Sequence, residues 1–391
     1  MGLNKKESSN IEGTSLKAFG LISGVGSLLY GAKKAGFEIL GNCDWRKYYH
    51  TGSFEYNFDR PFTMELSDYD IPKLKGITIV MGHPECGNFS TLRAKKTDLT
   101  NPLDIPKFIK EVGMLQPQFV LMDNLPKSLL VYDIPEYQKH LKDYDLFFEW
   151  VSNWGYGNVQ KYRNRMFLIA SHKDLAYKFI PGEKSHNKVT KDAIKDCEGL
   201  PNHHPVTLED KSNWPLNYFR GWDKNKKNYS ISWGEWNKLT KEVPIKQNLS
   251  YYNMKNELKV KPGYFKIDIN KFCPVLSGGG GLPDNHFFFD PEREYWRPFS
   301  IRERLRIMGF DDDFILLPKR PANQSRDYNY HIKQTGKCMP VQFAYYFADQ
   351  VKRFLNGEEL PQNGTRVIKP NPHISKALMA HKQIRLFGGE K

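Results

Sequence analysis

Short apolar runs alternate with helix-like stretches along the first 170 residues of the chain. Runs of β-branched and aromatic residues between turn residues are typical of strands, and their alternation with helices is typical of a parallel sheet covered on both faces. The runs that predict strands are 15–22, 37–42, 76–81, 119–122 and 166–170. The pattern therefore predicts an α/β fold for this part of the chain.

The pattern changes after residue 171. Residues 172–295 are rich in Lys, Asn, Trp, Tyr and Pro and have weak periodicity, which is typical of an inserted, irregular domain. Helical periodicity returns in "FSIRERLRIMGF" from residue 299, and 339–355 predicts an amphipathic helix. The predicted organisation is a flexible terminus, a main domain, the insert, a return to the main domain and a polar tail: 1–13, 14–171, 172–295, 296–356 and 357–391.

Composition narrows the choice of partner and compartment. The 391 residues include 58 Lys and Arg against 44 Asp and Glu, and this net charge of +14 favours a polyanionic partner, most simply nucleic acid. The cysteines lie far apart without a CxxC pair, so we expect no metal site, no disulfide framework and a reducing compartment. The start "MGLNKKESSN" does not resemble a signal peptide, and no apolar run approaches the ~20 residues that span a membrane. We therefore expect a cytoplasmic protein without a membrane partner.

Residues 21–45 predict a strand, a glycine turn, a helix and a second strand that ends in an acid. Gly24 and Gly26 would let the backbone approach a ligand closely, and Asp44, about twenty residues later, could accept hydrogen bonds from ribose hydroxyls. The alternative is a tight turn without a ligand. Trp45 could lie on an adenine, and its presence beside Asp44 favours a nucleoside cofactor.

The segment "GHPECGNFS", residues 82–90, follows the predicted strand 76–81. It places Cys86 at the carboxyl end of a strand, where the ligands of open α/β sheets collect. A thiolate at this position could act as a nucleophile. The alternative is a packed thiol, since free cysteine is among the most buried residue types.

Two further motifs lie at strand ends. "FVLMDNLPKSL" (119–129) ends its strand in Asp123, which could act as a general acid or cap the next helix. In "YRNRMFLIAS" (162–171), Arg163 and Arg165 share one face of an entering strand, because alternate residues of a strand point the same way. They could hold an anionic or polarised ligand, or they could be ordinary surface charges.

The order of these motifs is more specific than any one of them. After the glycine turn, acid-Trp pair, Cys86 motif, Asp-Asn pair, Arg-x-Arg motif and basic insert come "RPFSIRERLRIMGFDDDF" (297–314) and "QTGKCMPVQFAYYFADQV" (334–351). In this order, over residues 15–355 apart from the insert, the sequence resembles the cytosine-C5 DNA methyltransferase family. The stretch "VLSGGGGLPDNHFFFDPEREYWRPFSIRERLRIMGF" is similar throughout to that family's return from its insert.

The resemblance implies a Rossmann-like fold that binds S-adenosylmethionine, with a smaller target-recognition insert that reads duplex DNA. It implies a DNA (cytosine-5-)-methyltransferase that acts on a flipped-out base, as in restriction-modification. We expect a monomer, and the Lys/Asn/Tyr-rich composition and divergent motifs favour a bacterial or phage-infected cell. Cys86 would attack C6, Asp123 would hydrogen-bond N3, and Arg165 or Arg163 would hold O2. No metal is required. The implied cofactor-binding residues are Ile22, Ser23, Gly24, Gly26, Ser27, Asp44, Trp45, Pro84, Lys337 and Cys338.

Several positions around the base pocket depart from the family pattern. Glu85 and Gly87 flank Cys86 where the family has Pro and Gln. Asp123 replaces the usual Glu and is shorter by one methylene. These changes leave open a variant that acts on a modified pyrimidine.

Positions around the cofactor pocket depart as well. Ile22 and Ser27 replace a Phe and a Gly of the turn, and "GKC" (336–338) replaces Gly-Asn-Ser. An altered cofactor, or a DNA-binding or regulatory protein that has lost activity, are the alternatives that follow. RNA is a further alternative substrate, but the long basic and aromatic insert favours duplex DNA, because its side chains can reach base edges in the major groove.

Overall fold

The computed structural model describes most of the predicted main domain and the two ends of the predicted insert. The described residues are 15–45, 51–69, 74–86, 89, 104–130, 132–182, 188–205, 220–221, 229–230, 265–276, 286–318 and 324–360. Gly87, the predicted terminus 1–13, much of the predicted insert 172–295 and the chain after 360 lie outside them. The predicted division into domains therefore stays a prediction.

A seven-stranded sheet forms the centre of the described structure. Its strands are β1 (Lys17–Leu21), β2 (Glu38–Cys43), β3 (Phe62–Thr63), β4 (Ile79–Gly82), β5 (Phe119–Asn124), β6 (Tyr144–Ser152) and β7 (Asn164–His172). They are arranged in the order β3-β2-β1-β4-β5-β7-β6. Neighbouring strands are parallel, except that β7 is antiparallel to both β5 and β6. The predicted mostly parallel α/β fold is thus confirmed.

Each of the five predicted runs overlaps a strand of this sheet, and two strands of the sheet were not predicted. The missed strands are β3, which has only two residues, and β6. In β6 the charged residues Asp145 and Glu149 interrupt the apolar sequence, so no continuous apolar run marks it. Among the described strands, β6 is the outermost and pairs with β7 alone, and an outer strand tolerates such charges.

Helices cover both faces of the sheet. The helices are α1 (Ser27–Lys34), α2 (Thr51–Phe58), α3 (Asp104–Leu115), α4 (Ile134–His140), α5 (Thr190–Ile194), α6 (Ile301–Met308), α7 (Gln324–Lys337) and α8 (Val341–Leu355). Successive residues of β5 point to opposite faces, so Leu121 packs in the core beside α1 and α8 and Val120 packs in the core beside α3 and α4. No helix among the described residues is both long and apolar enough to cross a membrane.

Helix α8 corresponds to the predicted amphipathic helix 339–355 and packs closely on α1. A Cβ atom added to Gly31 would lie 2.6 Å from the backbone nitrogen of Tyr345, so only glycine permits this approach. The contact brings the segment before α8 against the start of α1. There the Met339 N–H donates to Ser27 Oγ at 3.1 Å.

The return from the insert is anchored by a buried arginine. Arg297 lies on the last of five small strands, which are β8 (Arg220–Gly221), β9 (Tyr229–Ser230), β10 (Phe265–Ile267), β11 (His286–Asp290) and β12 (Tyr295–Pro298). Arg297 donates to Asp290 at 2.5 Å and to both carboxylate oxygens of Glu303 at 2.7 and 2.8 Å. Ser300 caps α6 by accepting from the Glu303 N–H, and Gly309 ends that helix with a φ of 90°. The helix predicted after residue 299 is therefore present.

Candidate active site

The carboxyl ends of β1, β2, β4 and β5 meet at one edge of the sheet, because these strands are parallel. The chain passes from β1 to β2 on one side and later adds β4 on the other, which creates the crevice where α/β sheets bind ligands. The amino end of β7 reaches the same edge, because β7 is antiparallel. The structure thus collects the predicted segments 22–27, 44–45, 84–86, 123 and 163–165 along this edge.

The turn after β1 has a strained backbone. Ile22, Gly24 and Gly26 have positive φ angles of 56°, 58° and 86°. Glycine adopts this region readily, whereas a β-branched residue such as Ile22 is an outlier of the kind that clusters at functional sites. The Ile22 carbonyl accepts from the His83 N–H at 3.2 Å, so the turn is tied directly to the loop that follows β4.

The two predicted serines of the turn bind protein groups. Ser23 Oγ donates to the Met81 carbonyl at 2.9 Å, and Ser27 Oγ accepts from the Met339 N–H at 3.1 Å. Both hydroxyls therefore hold the turn in place, one against β4 and the other against the segment before α8.

The other predicted cofactor residues differ in exposure. Lys337 has an exposed side chain, whereas Cys338 is buried and its thiol donates to the Gln334 carbonyl at 3.2 Å. Burial raises the pKa of Cys338 to about 12, so this thiol is neutral at physiological pH. Pro84 is buried, and its carbonyl accepts from Asn124 Nδ2 at 3.4 Å. Their cofactor contacts stay predictions.

Asp44 and Trp45 lie beside the turn, as their spacing predicts. Asp44 is buried and accepts from the Gly24 N–H at 3.2 Å. Trp45 Nε1 donates to Asp104 Oδ1 at 3.0 Å, and Lys107 Nζ lies 4.2 Å from the centre of a Trp45 ring. Because Lys107 covers one face of the indole, an adenine would have to stack on the opposite face. A carboxylate and an indole beside a glycine turn fit the adenosine part of S-adenosylmethionine.

Asp104 is a site residue that sequence reasoning missed. One of its carboxylate oxygens accepts from Trp45, and the other accepts from the Glu85 N–H at 3.0 Å. This carboxylate therefore joins the predicted adenine-binding residue to the loop that carries Cys86. The only sequence signal is an acid at the first position of α3, and an acid there is common in helices generally.

His83, also missed, lies between Cys86 and Asp123. Its Nδ1 makes a short contact with Asp123 Oδ1, and its Nε2 lies 3.5 Å from Cys86 Sγ. Cys86 is half-buried, whereas the other four cysteines are buried. The three side chains form a Cys-His-Asp arrangement of the kind that activates thiol nucleophiles. A single histidine before a proline is too common a pattern to reveal this arrangement.

Charge interactions shift the pKa values of Cys86 and His83 in opposite directions. Burial raises the pKa of Cys86, but His83 and Arg165 lower it by more, and the net shift is downward. Burial lowers the pKa of His83, but Asp123 and Cys86 more than offset this and raise it to about 10. The shifts favour a negative sulfur beside a positive imidazole.

Asp123 has one carboxylate oxygen with a hydrogen-bond partner and one without. Oδ1 contacts His83, whereas Oδ2 is buried and has no hydrogen-bond partner among the described residues. Arg165 Nε lies 3.6 Å from Oδ2, close enough for an ion pair but too far for a good hydrogen bond. A buried polar atom without a hydrogen bond is rare in folded proteins, and at the carboxyl end of a strand it indicates a place for a ligand.

Arg163 and Arg165 have different partners. Both side chains reach the segment before α8, as a shared face predicts: Arg163 donates to the Cys338 carbonyl and Arg165 Nε lies 3.4 Å from Met339 Sδ. Arg163 is fully buried and also donates to the carbonyls of Leu276 and Gly336, at 3.0 and 2.9 Å. Of the two arginines, Arg165 makes the described ion-pair contact with Asp123 and therefore faces the site. Arg163 instead joins the backbone segments around the site through its hydrogen bonds.

Comparisons of the sequence with known proteins match most of the chain. The sequence model of the C-5 cytosine-specific DNA methylase family matches residues 16–353. The type II methyltransferase M.MthTI of Methanothermobacter thermautotrophicus is 26% identical over 361 residues, covering 86% of this chain and 96% of that protein. The type II methyltransferase M.NgoPII of Neisseria gonorrhoeae is 26% identical over 362 residues, covering 87% and 96%.

Solved structures share the fold. A mutant of Spodoptera frugiperda DNMT2 superposes with a TM-score of 0.57 at 12% identity, covering 87% of this chain and 99% of that one. The Entamoeba histolytica methyltransferase EhMeth superposes with a TM-score of 0.56 at 10% identity, covering 88% and 98%. At these identities the similarity is one of fold.

Proposed function

This chain belongs to the C-5 cytosine-specific DNA methylase family, and we propose that it methylates a flipped-out cytosine in duplex DNA through a covalent bond between Cys86 and C6. Family membership identifies it as a DNA cytosine-5-methyltransferase that uses S-adenosylmethionine. The proposal assigns the steps of that reaction to particular side chains.

The observation that carries the assignment is the Asp123 oxygen that lacks a hydrogen bond, Oδ2. This atom is buried at the carboxyl end of β5, on the carboxylate that also contacts the histidine beside Cys86. A nucleophilic sulfur, a carboxylate oxygen free to accept a hydrogen bond and a cation, Arg165, therefore face one region next to the glycine turn. An addition reaction to a polar ring requires this combination of groups.

Cys86 acts as the nucleophile. Its thiolate attacks C6 of the cytosine, and the electrons of the C5–C6 double bond make C5 nucleophilic. S-adenosylmethionine, when bound, supplies an electrophilic methyl group for C5. The C5 proton is then lost to solvent, its electron pair re-forms the C5–C6 double bond, and the bond between Cys86 and C6 breaks to restore the thiolate.

Asp123 and Arg165 hold the base and its charge. Asp123 Oδ2 accepts a hydrogen bond from the N4 amino group of the cytosine, next to N3, while His83 holds the other carboxylate oxygen. Arg165 stabilises the negative charge that develops on the ring, most directly at O2. Arg163 binds backbone carbonyls and so fixes the position of these groups.

The glycine turn and its neighbours hold the cofactor. Gly24 and Gly26 allow the backbone to approach it closely, with Ile22, Ser23 and Ser27 fixing the turn. Asp44 binds the ribose and Trp45 stacks on the adenine. Pro84, Lys337 and Cys338 complete the proposed cofactor-binding set.

We assign duplex DNA as the partner and the insert 172–295 as the domain that reads it. Support comes from the net charge of +14 and from an aromatic cluster around Lys161, just before Arg163 in the chain. Lys161 Nζ lies 4.6 Å from the Trp154 ring, 5.6 Å from the Tyr162 ring and 4.9 Å from the Phe272 ring. A cation held among rings at the edge of the site suits a DNA backbone. We further propose that the protein acts as a monomer in the cytoplasm of a bacterial or phage-infected cell.

Mass spectrometry of nucleosides from treated DNA tests the proposed function. Duplex DNA incubated with the protein and S-adenosylmethionine is expected to gain 5-methylcytosine, with no other new nucleoside. Cofactor and DNA binding without any new nucleoside would instead indicate a regulatory DNA-binding protein. Purified tRNA is the substrate control, and its modification as fast as that of DNA would contradict the DNA assignment.

The Lys161→Glu substitution tests the proposed DNA contact. We expect weaker binding to all duplex sequences, because one phosphate contact is lost. The slope of the logarithm of the binding constant against the logarithm of the salt concentration should become shallower by about one. Fluorescence anisotropy across a range of salt concentrations measures both effects. Lys33→Glu is the matched control, since Lys33 also lies over a ring, 5.6 Å from that of Phe58, but on α1. Equal losses in the two variants would show a general charge effect only.

A further inference from the structure

His83 is held in place from three directions. Its backbone N–H donates to the carbonyl of the strained residue Ile22. In its imidazole ring, Nδ1 contacts Asp123 and Nε2 faces the Cys86 sulfur at 3.5 Å. Its side chain is only 12% exposed. The imidazole therefore has one nitrogen committed to a carboxylate and the other directed at a thiol.

The charges around His83 favour a negative sulfur. Among the described residues, Asp123 on β5 supplies the negative charge, and Arg165 on β7 and the buried Arg163 beside it supply positive charges. Moving the proton of the Cys86 thiol to a neutral His83 leaves the net charge of the site unchanged, but it places a negative sulfur near Arg165 and a positive imidazole against Asp123. Each new charge then lies beside an opposite one, and charges interact strongly where water is scarce.

We propose that His83 is the proton acceptor of the Cys86 thiol, and that with Asp123 it holds the sulfur as a thiolate before DNA or cofactor binds. His83 is then a catalytic residue of this chain in addition to the nucleophile and the groups that hold the base. The use of that thiolate to attack cytosine rests on the proposed function, whereas its existence in the free protein does not.

The proton transfer is balanced within the three side chains. The S–H bond of Cys86 breaks, its electron pair stays on sulfur, and the proton moves to Nε2 of His83. The resulting imidazolium donates its other N–H to Asp123. When the bond from Cys86 to C6 later breaks, the thiolate returns beside the same imidazolium, so no further reactant is consumed.

The pKa shifts support this direction of transfer. The pKa of His83 is raised to about 10, so its imidazole holds a proton at neutral pH, and the pKa of Cys86 is lowered, so its thiol ionises more readily than an ordinary cysteine. Raising the pH through about 10 removes the proton from His83, and the thiolate then loses its counter-charge. The contribution of the protonated His83 to the free energy of unfolding is fully present below its ordinary pKa of 6.5. This contribution falls as the pH rises above that value and is lost as the pH passes about 10.

Alkylation of Cys86 in the full chain, without DNA or cofactor, tests the proposal. Iodoacetamide reacts with thiolates, and peptide mass spectrometry separates Cys86 from the four buried cysteines. In the wild type we expect rapid alkylation at pH 7. In His83→Gln the rate at pH 7 should fall about tenfold for each pH unit by which the thiol pKa rises. An unchanged pH profile in His83→Gln would overturn the proposal.

His140→Gln is the matched control, because His140 also faces a carboxylate, Glu136 at 3.6 Å, but is exposed on α4. It should alkylate at the wild-type rate. If His83→Gln does not fold, the difference in absorbance at 240 nm between wild type and Cys86→Ala reports the thiolate directly. A titration midpoint below the ordinary cysteine pKa of about 8.5 supports the proposal, and one at or above it contradicts it. These measurements do not depend on methyl transfer. A thiolate at Cys86 in a protein that does not methylate DNA would therefore refute only the proposed function.

Discussion

Replacing Cys86 by alanine is expected to abolish methyl transfer, with a loss of at least about 10⁴-fold in kcat, as is common when a covalent nucleophile is removed. No other thiol of the chain can substitute, because the remaining four cysteines are buried. Transfer of a labelled methyl group to duplex DNA measures the loss. The fold should survive, because Cys86 is half-buried and the one described hydrogen-bond contact of its side chain is with His83.

A covalent trap makes the same prediction sharper. Duplex DNA that contains 5-fluorocytosine should form a stable adduct with the wild type and S-adenosylmethionine, because fluorine at C5 prevents release of the cysteine. Cys86→Ala should form none, whereas Cys197→Ala, which removes a buried thiol elsewhere, should form the adduct normally. An adduct that survives in Cys86→Ala would show that another residue attacks the base.

Replacing Arg163 by methionine is expected to destabilise the protein by about 3–5 kcal/mol, because three backbone carbonyls lose a buried, charged donor. Burial lowers the pKa of Arg163 to about 9, so the guanidinium is still charged at neutral pH. Urea denaturation at pH 7, followed by circular dichroism, measures the free energy of unfolding. Because Arg163 joins Leu276 to the segment 336–338, which contains the proposed cofactor-binding residues Lys337 and Cys338, the variant should also bind S-adenosylmethionine less tightly.

Arg165→Met is the matched variant, two residues further along the chain. It should change the free energy of unfolding by less than about 1 kcal/mol, because Arg165 makes no hydrogen bond to a backbone carbonyl among the described contacts. Its kcat should fall by about 10²–10³-fold, the usual effect of removing one group that stabilises developing charge. If Arg163→Met is stable but inactive, or Arg165→Met unfolds, the assigned roles are reversed.

Much of the site could be predicted because its residues occupy strand ends. Cys86 and Asp123 follow two apolar runs, and adjacent parallel strands place their carboxyl ends together. Asp44 and Trp45 follow the same logic at the end of β2. The distance of a residue from the end of a strand can be counted in the sequence, so these positions could be predicted.

His83 and Asp104 could not be predicted in this way. Each acts by joining groups that are distant in sequence: His83 joins Cys86 to Asp123, and Asp104 joins Trp45 to the same loop. Their residue types and positions are ordinary within the sequence. They belong to the site because of the side chains and backbone groups that the folded sheet places next to them.

The arginine pair shows where local pattern ends and tertiary structure begins. The apolar runs, the glycine turn and the alternation of Arg163 with Arg165 follow from the periods of strands and helices, which depend on neighbouring residues alone. Alternation places both guanidinium groups on one face, but it does not specify what they meet there. Folding brings backbone carbonyls to Arg163 and the carboxylate of Asp123 to Arg165. That difference depends on the order of strands in the sheet and on how the segment before α8 packs against it, and no local period encodes either.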